Sequence, residues 1–151
     1  SSLVNQASNY LMNNYVPQRI GSLHPNIAPY GELFTTSDQR TITFAIGSNR
    51  HFEQLCDFLK LSELANDQRF SSVQLRVKNR VQLFELLKEK VLHFPADDIL
   101  EYMHAHFVPC GEVKDLAAVF NSKMAQDLVR TEVIEGVETK RVTGIAFRVD
   151  K

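Results

Sequence analysis

Between Arg40 and Ile46 apolar and polar positions alternate, with Ile42, Phe44 and Ile46 on one side and Thr41, Thr43 and Ala45 on the other. A period of two predicts a half-buried strand over 40–46. A partner strand is expected over Glu32–Thr36, with Ser37-Asp38-Gln39 as the turn. Gln39 is awkward there, because a tight hairpin favours glycine after Asp for its positive φ. Further on, the period changes. Phe52, Leu55, Cys56 and Leu59 recur at helical spacing and predict an amphipathic helix over Arg50–Lys60, N-capped by Asn49. Residues 61–76 read as one short helical turn and a polar connection. A longer helix is expected from Lys78 to Leu92, with Val81, Phe84, Leu87 and Val91 inward. Pro95 opens the next, with Asp97 and Asp98 in its first turn and Ile99, Met103 and Phe107 on its buried side.

The flanks are less periodic. Leu3, Ala7, Tyr10, Leu11 and Tyr15 share one face of a helix over 3–15, which Pro17 ends. Residues 16–30 hold Pro17, Pro25, Pro29, Gly21 and Ser22 and read as an extended linker. After a "VPCGEV" turn come short helices over Asp115–Phe120 and Lys123–Val129. Strands over Glu132–Ile134 and Arg141–Val149, turning at Glu135-Gly136, close the pattern. Strands, then helices, then strands imply an α+β fold, a small antiparallel sheet with several packed helices.

The chain's 151 residues suit one domain and suffice to bury roughly 70% of the unfolded surface without a disulfide or metal. A net charge of −1 argues against an electrostatically driven nucleic-acid binder. No apolar run approaches the ~20 residues that span a bilayer, and the polar start lacks the basic region of a signal peptide. Cys56 and Cys110 give neither a disulfide framework nor a zinc motif, so they read as reduced thiols of a cytoplasmic protein. The chain opens on Ser1, which suggests processing or a piece of something longer.

Residues with chemical potential are few. His104 and His106 stand two apart on a predicted helix, about 200° around, and cannot share a metal. Cys110 has no evident activating partner, although His106 is near in sequence. The Asp97-Asp98 pair is explained by the helix dipole. "RVKNR", Arg76 to Arg80, places three cations in five positions, and a solvated helix entrance accounts for them better than a phosphate site does. Spacing and composition alone reveal no active site.

Longer stretches carry more. In "RIGSLHPNIAPYGELFTTSDQRTITFAIGSNRHFEQLC", Gly21, His24, Pro25, Ile27, Pro29, Tyr30, Asp38, Asn49, Phe52, Leu55 and Cys56 match a pattern of glycine, HP, PY, two strands and a helix. Asp67, Arg69, Phe70, Arg76, Asn79 and Arg80 match a D-x-R-F … R-x-x-N-R segment, and Pro109, Cys110, Gly111 and Val113 match a V-P-x-G-P-V turn. Together these resemble the class III CoA-transferases, of the formyl-CoA and carnitine-CoA transferase type. The likeness runs over nearly the whole chain.

That resemblance implies a family small domain. Residues 1–15 would be a helix belonging to the large domain, 16–30 the proline-containing linker, and 31–151 the α+β small domain with its exit strand. The full-length enzyme would move CoA between an acyl-CoA and a free carboxylic acid, as a homodimer and without metal or organic cofactor. Its aspartate nucleophile would pass through a mixed anhydride and an aspartyl-CoA thioester. Nothing in this chain corresponds to that aspartate, so the chain would be a fragment, inert alone. The alternative is a free-standing interaction or small-ligand-binding module derived from the same domain. Leu3, Tyr10 and Leu11 would be left exposed in a fragment. His24, Pro25 and Tyr30 would reach the acyl pocket at the domain junction, unless His24 and Tyr30 merely hydrogen-bond within the linker. Gln39 and Glu112 replace a usual glycine and proline, and the family's C-terminal L-G-x-H-T segment and glycine loop are absent.

Overall fold

The alternating stretch is the centre of a sheet. In the computed structural model, which describes residues 4–14, 16 and 18–142, β1 (Tyr30–Thr35), β2 (Thr41–Ala45) and β3 (Cys110–Glu112) run antiparallel in the order β1-β2-β3. Ile42, Phe44 and Ile46 are buried on one face, as the period of two requires. β3 corrects the sequence reading, which took "VPCGEV" for a turn. Three residues are too few for a periodic signal, and only pairing with β2 (Ile42↔Glu112, Phe44↔Cys110) makes them a strand. Gln39 does adopt a left-handed φ of 61°. Thr36 holds the turn around it: its Oγ1 donates to Asp38 Oδ1 at 2.5 Å and accepts from the Arg40 N–H at 3.2 Å.

Helices cover the buried face. They are α2 (Asn49–Phe58), α3 (Ser62–Ala65), α4 (Val73–Lys78), α5 (Arg80–Val91) and α6 (Ala96–Ala105), and α1 (Val4–Asn13) precedes the sheet. The α2 stripe packs as its spacing predicts, with Phe52, Leu55, Cys56 and Leu59 all buried. Its N-cap is Ser48, not Asn49: the Ser48 Oγ accepts from the His51 N–H at 3.1 Å, and Asn49 is free for another task. Leu83, Leu87, Val91, Ile99, Met103 and Val108 complete the core. Phe84 packs against it, its ring centroid 5.3 Å from that of Phe34 at an interplanar angle of 41°.

Two expected core residues lie outside. Val81 is 77% exposed. The buried stripe of α5 centres between Leu83 and Phe84, and Val81 sits about 120° around from Leu87. Phe107 is 81% exposed because α6 ends two residues earlier. Phe107 takes the left-handed position of the helix stop at φ 57°, and Val108 folds back, its N–H donating to Met103 O at 2.8 Å.

The chain divides into two compact units, Ser1–Glu112 and Val113–Lys151. The second holds α7 (Leu116–Phe120), α8 (Lys123–Gln126) and a hairpin of β4 (Val129–Ile134) and β5 (Val137–Val142). Asp115 and Ser122 cap its helices through their side chains. The turn falls at Glu135-Gly136 as expected, both with positive φ. β5 begins nearer the turn than the sequence reading had it, because polar Glu138 and Lys140 still pair across the ladder, and β4 begins earlier, at Val129 instead of Glu132. Residues 143–149 of the expected last strand, with Leu3, Tyr15 and Pro17, lie outside the described residues. Of the α1 face, Tyr10 is 49% and Leu11 78% exposed.

Candidate functional site

The proline stretch is held in place by two arginines that the sequence reading placed in solvent. Arg76 on α4 is fully buried. Its Nε donates to Ala28 O at 3.1 Å, and its Nη1 donates to Phe70 O at 2.9 Å and Asn49 Oδ1 at 3.1 Å. The guanidinium lies over the Phe52 ring, 4.7 Å from its centroid. Burial pulls its pKa below the ordinary arginine value. Asn49 is the bridge: its amide also donates to Ser71 O at 3.1 Å. Asn79, at the break between α4 and α5, ties that joint to the preceding turn by donating to Arg69 O at 2.9 Å.

Arg80 opens α5 and reaches the linker one turn further on. Its Nη2 donates to His24 O at 2.6 Å and to Ile27 O. Its Nε faces Glu32 Oε1 at 2.8 Å. Glu32, only 5% exposed, accepts the Tyr30 N–H on its other oxygen at 2.5 Å. The loop is closed at its base as well, where His24 N–H donates to Tyr30 O at 2.9 Å and Ser22 Oγ donates to Gly31 O at 2.6 Å. Gly31 has φ +87°, and a Cβ there would sit 2.0 Å from Ser22 O. Only glycine fits. The extra residue this creates in β1 shifts its register between Tyr30 and Leu33.

His24, Pro25 and Tyr30 are brought together on this frame. The His24 and Tyr30 rings pack 4.8 Å apart at 56°. His24 and Pro25 are half-buried, and Tyr30 is 38% exposed at the start of the strand. His24 Nδ1 accepts the Asn26 N–H at 3.2 Å. The sequence reading missed Glu32 and Gly31 as members of this arrangement and misread Arg76 and Arg80. Helical spacing offered no signal here, because Arg76 and Arg80 stand on different helices on either side of the break at Asn79.

The remaining candidates have local explanations. Asp97 ion-pairs with Arg40 at 2.7 Å, and Glu112 takes the same guanidinium in a two-pronged contact at 2.9 and 2.6 Å. Glu112, which stands where the family pattern has proline, thus fastens β3 to β2. His106 stacks on Tyr102 at 4.0 Å and its Nδ1 bonds Tyr102 O, while His104 Nε2 lies 3.4 Å from the carbonyl of Cys110. Burial pushes the Cys56 thiol up to about 12 and the Cys110 thiol up to about 11, the reverse of an activated nucleophile. Among the described residues no cluster of three His, Cys, Asp or Glu is placed to hold a metal, and no helix is long and apolar enough to cross a membrane.

An α+β unit in which arginines of an R-x-x-N-R segment clamp an H-P … P-Y linker matches one family: the chain belongs to CoA-transferase family III, whose pattern it matches over residues 1–151. Among its relatives, succinate–glutarate CoA-transferase of Agrobacterium fabrum is 32% identical over 124 residues, 82% of this chain and 30% of that protein. Human succinyl-CoA:glutarate CoA-transferase is 32% identical over 76% of this chain and 26% of its own length. Acetyl-CoA:oxalate CoA-transferase of Acetobacter aceti is 33% identical over 70% of this chain and 26% of its own length. The crystal structure of a CaiB/BaiF family protein from Brucella suis superposes with a TM-score of 0.77 at 36% identity, covering 96% of this chain and 38% of that one. The chain thus spans about a third of the length of the relatives it matches.

Proposed function

We propose that this chain is the small-domain part of a CoA-transferase that moves CoA between an acyl-CoA and a free carboxylic acid, with His24, Pro25 and Tyr30 lining the acyl pocket. One observation carries the reading: the His24 and Tyr30 rings stand together, partly exposed, on a backbone that Arg76, Arg80 and Glu32 hold fixed. A pocket for a small acyl group needs an apolar wall and a few polar groups in set positions. Pro25 and the Tyr30 ring supply the first and the His24 imidazole the second. The relatives' substrates, glutarate, succinyl-CoA and oxalate, make small dicarboxylic acids the first to screen.

The nucleophilic aspartate comes from polypeptide outside this sequence, so the chain alone is inert. Anhydride and thioester intermediates both hydrolyse readily, and the small domain's task is to close a water-poor site over them. The working enzyme is a homodimer in the cytoplasm, with the CoA thioester as substrate and no metal or organic cofactor.

Three measurements test this. The pure 151-residue chain should exchange no CoA between succinyl-CoA and glutarate; exchange by the chain alone would refute the claim of inertness. The native polypeptide should be much larger than 17.2 kDa, whereas a band at that mass would favour a free-standing binding module. In the larger polypeptide, His24→Ala should raise KM for the carboxylic acid by about tenfold, the worth of one hydrogen bond to a charged group. Unchanged kinetics would remove His24 from the pocket.

A further inference from the structure

We propose that Arg80 is a positioning residue for the His24 imidazole, anchored by Glu32, so that the ring presents its Nε2–H to a carboxylate or thioester oxygen at the linker rim. The inference rests on the reading of His24 as a pocket residue and adds how its proton is placed.

The ring's protonation pattern comes from the backbone beside it. His24 Nδ1 accepts the Asn26 N–H at 3.2 Å, so that nitrogen carries the lone pair and the neutral ring holds its hydrogen on Nε2. A carboxylate or thioester oxygen accepts hydrogen bonds, and Nε2–H is the pole that can supply one.

Arg80 makes that geometry. The carbonyls of His24 and Ile27 converge on its Nη2, three residues apart in the chain, which draws 24–27 into a tight turn. The turn is what carries the Asn26 N–H over the imidazole. Glu32 in turn forms an ion pair with the guanidinium, its Oε1 2.8 Å from Nε, and its other oxygen holds the Tyr30 N–H at 2.5 Å. One carboxylate therefore sets both the arginine and the strand residue whose ring faces the imidazole at 4.8 Å. The Glu32 side chain is 4% exposed and that of Arg80 17%, so water screens the pair little. A lysine does not reproduce the arrangement, because its one nitrogen cannot meet both carbonyls at one end of a rigid plane while a second nitrogen lies against the carboxylate.

The test is a double-mutant cycle in the full-length polypeptide that contains this sequence, with succinyl-CoA and glutarate as substrates. Arg80→Lys and His24→Ala should each raise KM for glutarate by about tenfold, and the double variant should be within about twofold of His24→Ala alone. If the two losses multiply, Arg80 is scaffolding and the positioning role is overturned while the pocket reading stands. If His24→Ala changes nothing, the pocket reading and this inference fall together. Should Arg80→Lys not fold, Glu32→Gln replaces it in the cycle under the same criteria. The wild-type 151-residue chain gives an independent readout: long-range 1H–15N NMR should show His24 protonated on Nε2. The Nδ1–H form, or a rapid mixture of the two, overturns the inference.

Discussion

Arg76→Met removes a guanidinium that lies fully buried against Phe52 and donates to three oxygens. Asn49 is exposed and can turn its Oδ1 to water. Ala28 and Phe70 are 0% exposed, and their carbonyls cannot. Two orphaned buried acceptors cost ~1–3 kcal/mol each. The lost cation–π contact adds ~1 kcal/mol, much of which a methionine sulfur on the same ring returns. Working the other way, methionine removes the cost of burying a charge that only neutral oxygens meet. The expected net loss is about 3 kcal/mol, or roughly 10 °C in Tm for a chain of this size. The chain has no tryptophan, and its tyrosines, Tyr10, Tyr15, Tyr30 and Tyr102, all fall in the first unit. Tyrosine fluorescence in urea therefore reports that unit alone. A loss below about 0.5 kcal/mol at unchanged m would refute the reasoning, since it would mean that the two carbonyls do not depend on Arg76.

Three further outcomes are expected. Gly31→Ala should cost at least ~2 kcal/mol, from a left-handed φ and a Cβ driven into Ser22 O; the same urea titration checks it, and a neutral result would show that the 22–31 approach relaxes freely. The hydrogen bond from Thr36 to Asp38, helped by the Ala96 N–H and Arg40, holds the Asp38 carboxyl below its ordinary 3.8. Because the folded value is the lower one, the stability it adds is complete above the ordinary value and is lost as pH falls through the folded one. Asp38→Asn should flatten the stability curve below about pH 4, and an unchanged acid limb would remove Asp38 from the account. Finally, with both thiols pushed up by burial, a disulfide reagent at pH 8 should label Cys110 slowly and Cys56 only on unfolding. Prompt labelling of native Cys56 would contradict its burial.

Much of the architecture was readable because it is periodic. Alternation at Ile42, Phe44 and Ile46 and the stripe Phe52, Leu55, Cys56, Leu59 each identify an element and its inner face from neighbours in sequence. Where the signal was short or phase-sensitive it misled. β3 exists only through its pairing with β2, Val81 is one step off the buried stripe, and Phe107 lies past the helix stop. The N-cap moved by one residue, since Ser48 and Asn49 are both good caps and Asn49 was needed by Arg76.

The candidate site divides the same way. By itself the sequence determined the H-P … P-Y linker, the R-x-x-N-R segment and, through them, the family. The tertiary structure alone decided what those residues do for one another. Arg76 reaches a carbonyl 48 positions away and Arg80 reaches carbonyls 56 and 53 positions away. A charged side chain reads as solvent-facing from its type, and hydrogen bonds over such separations leave no trace in local spacing. Burial of the two arginines became visible only once the fold had brought the linker across the start of α5.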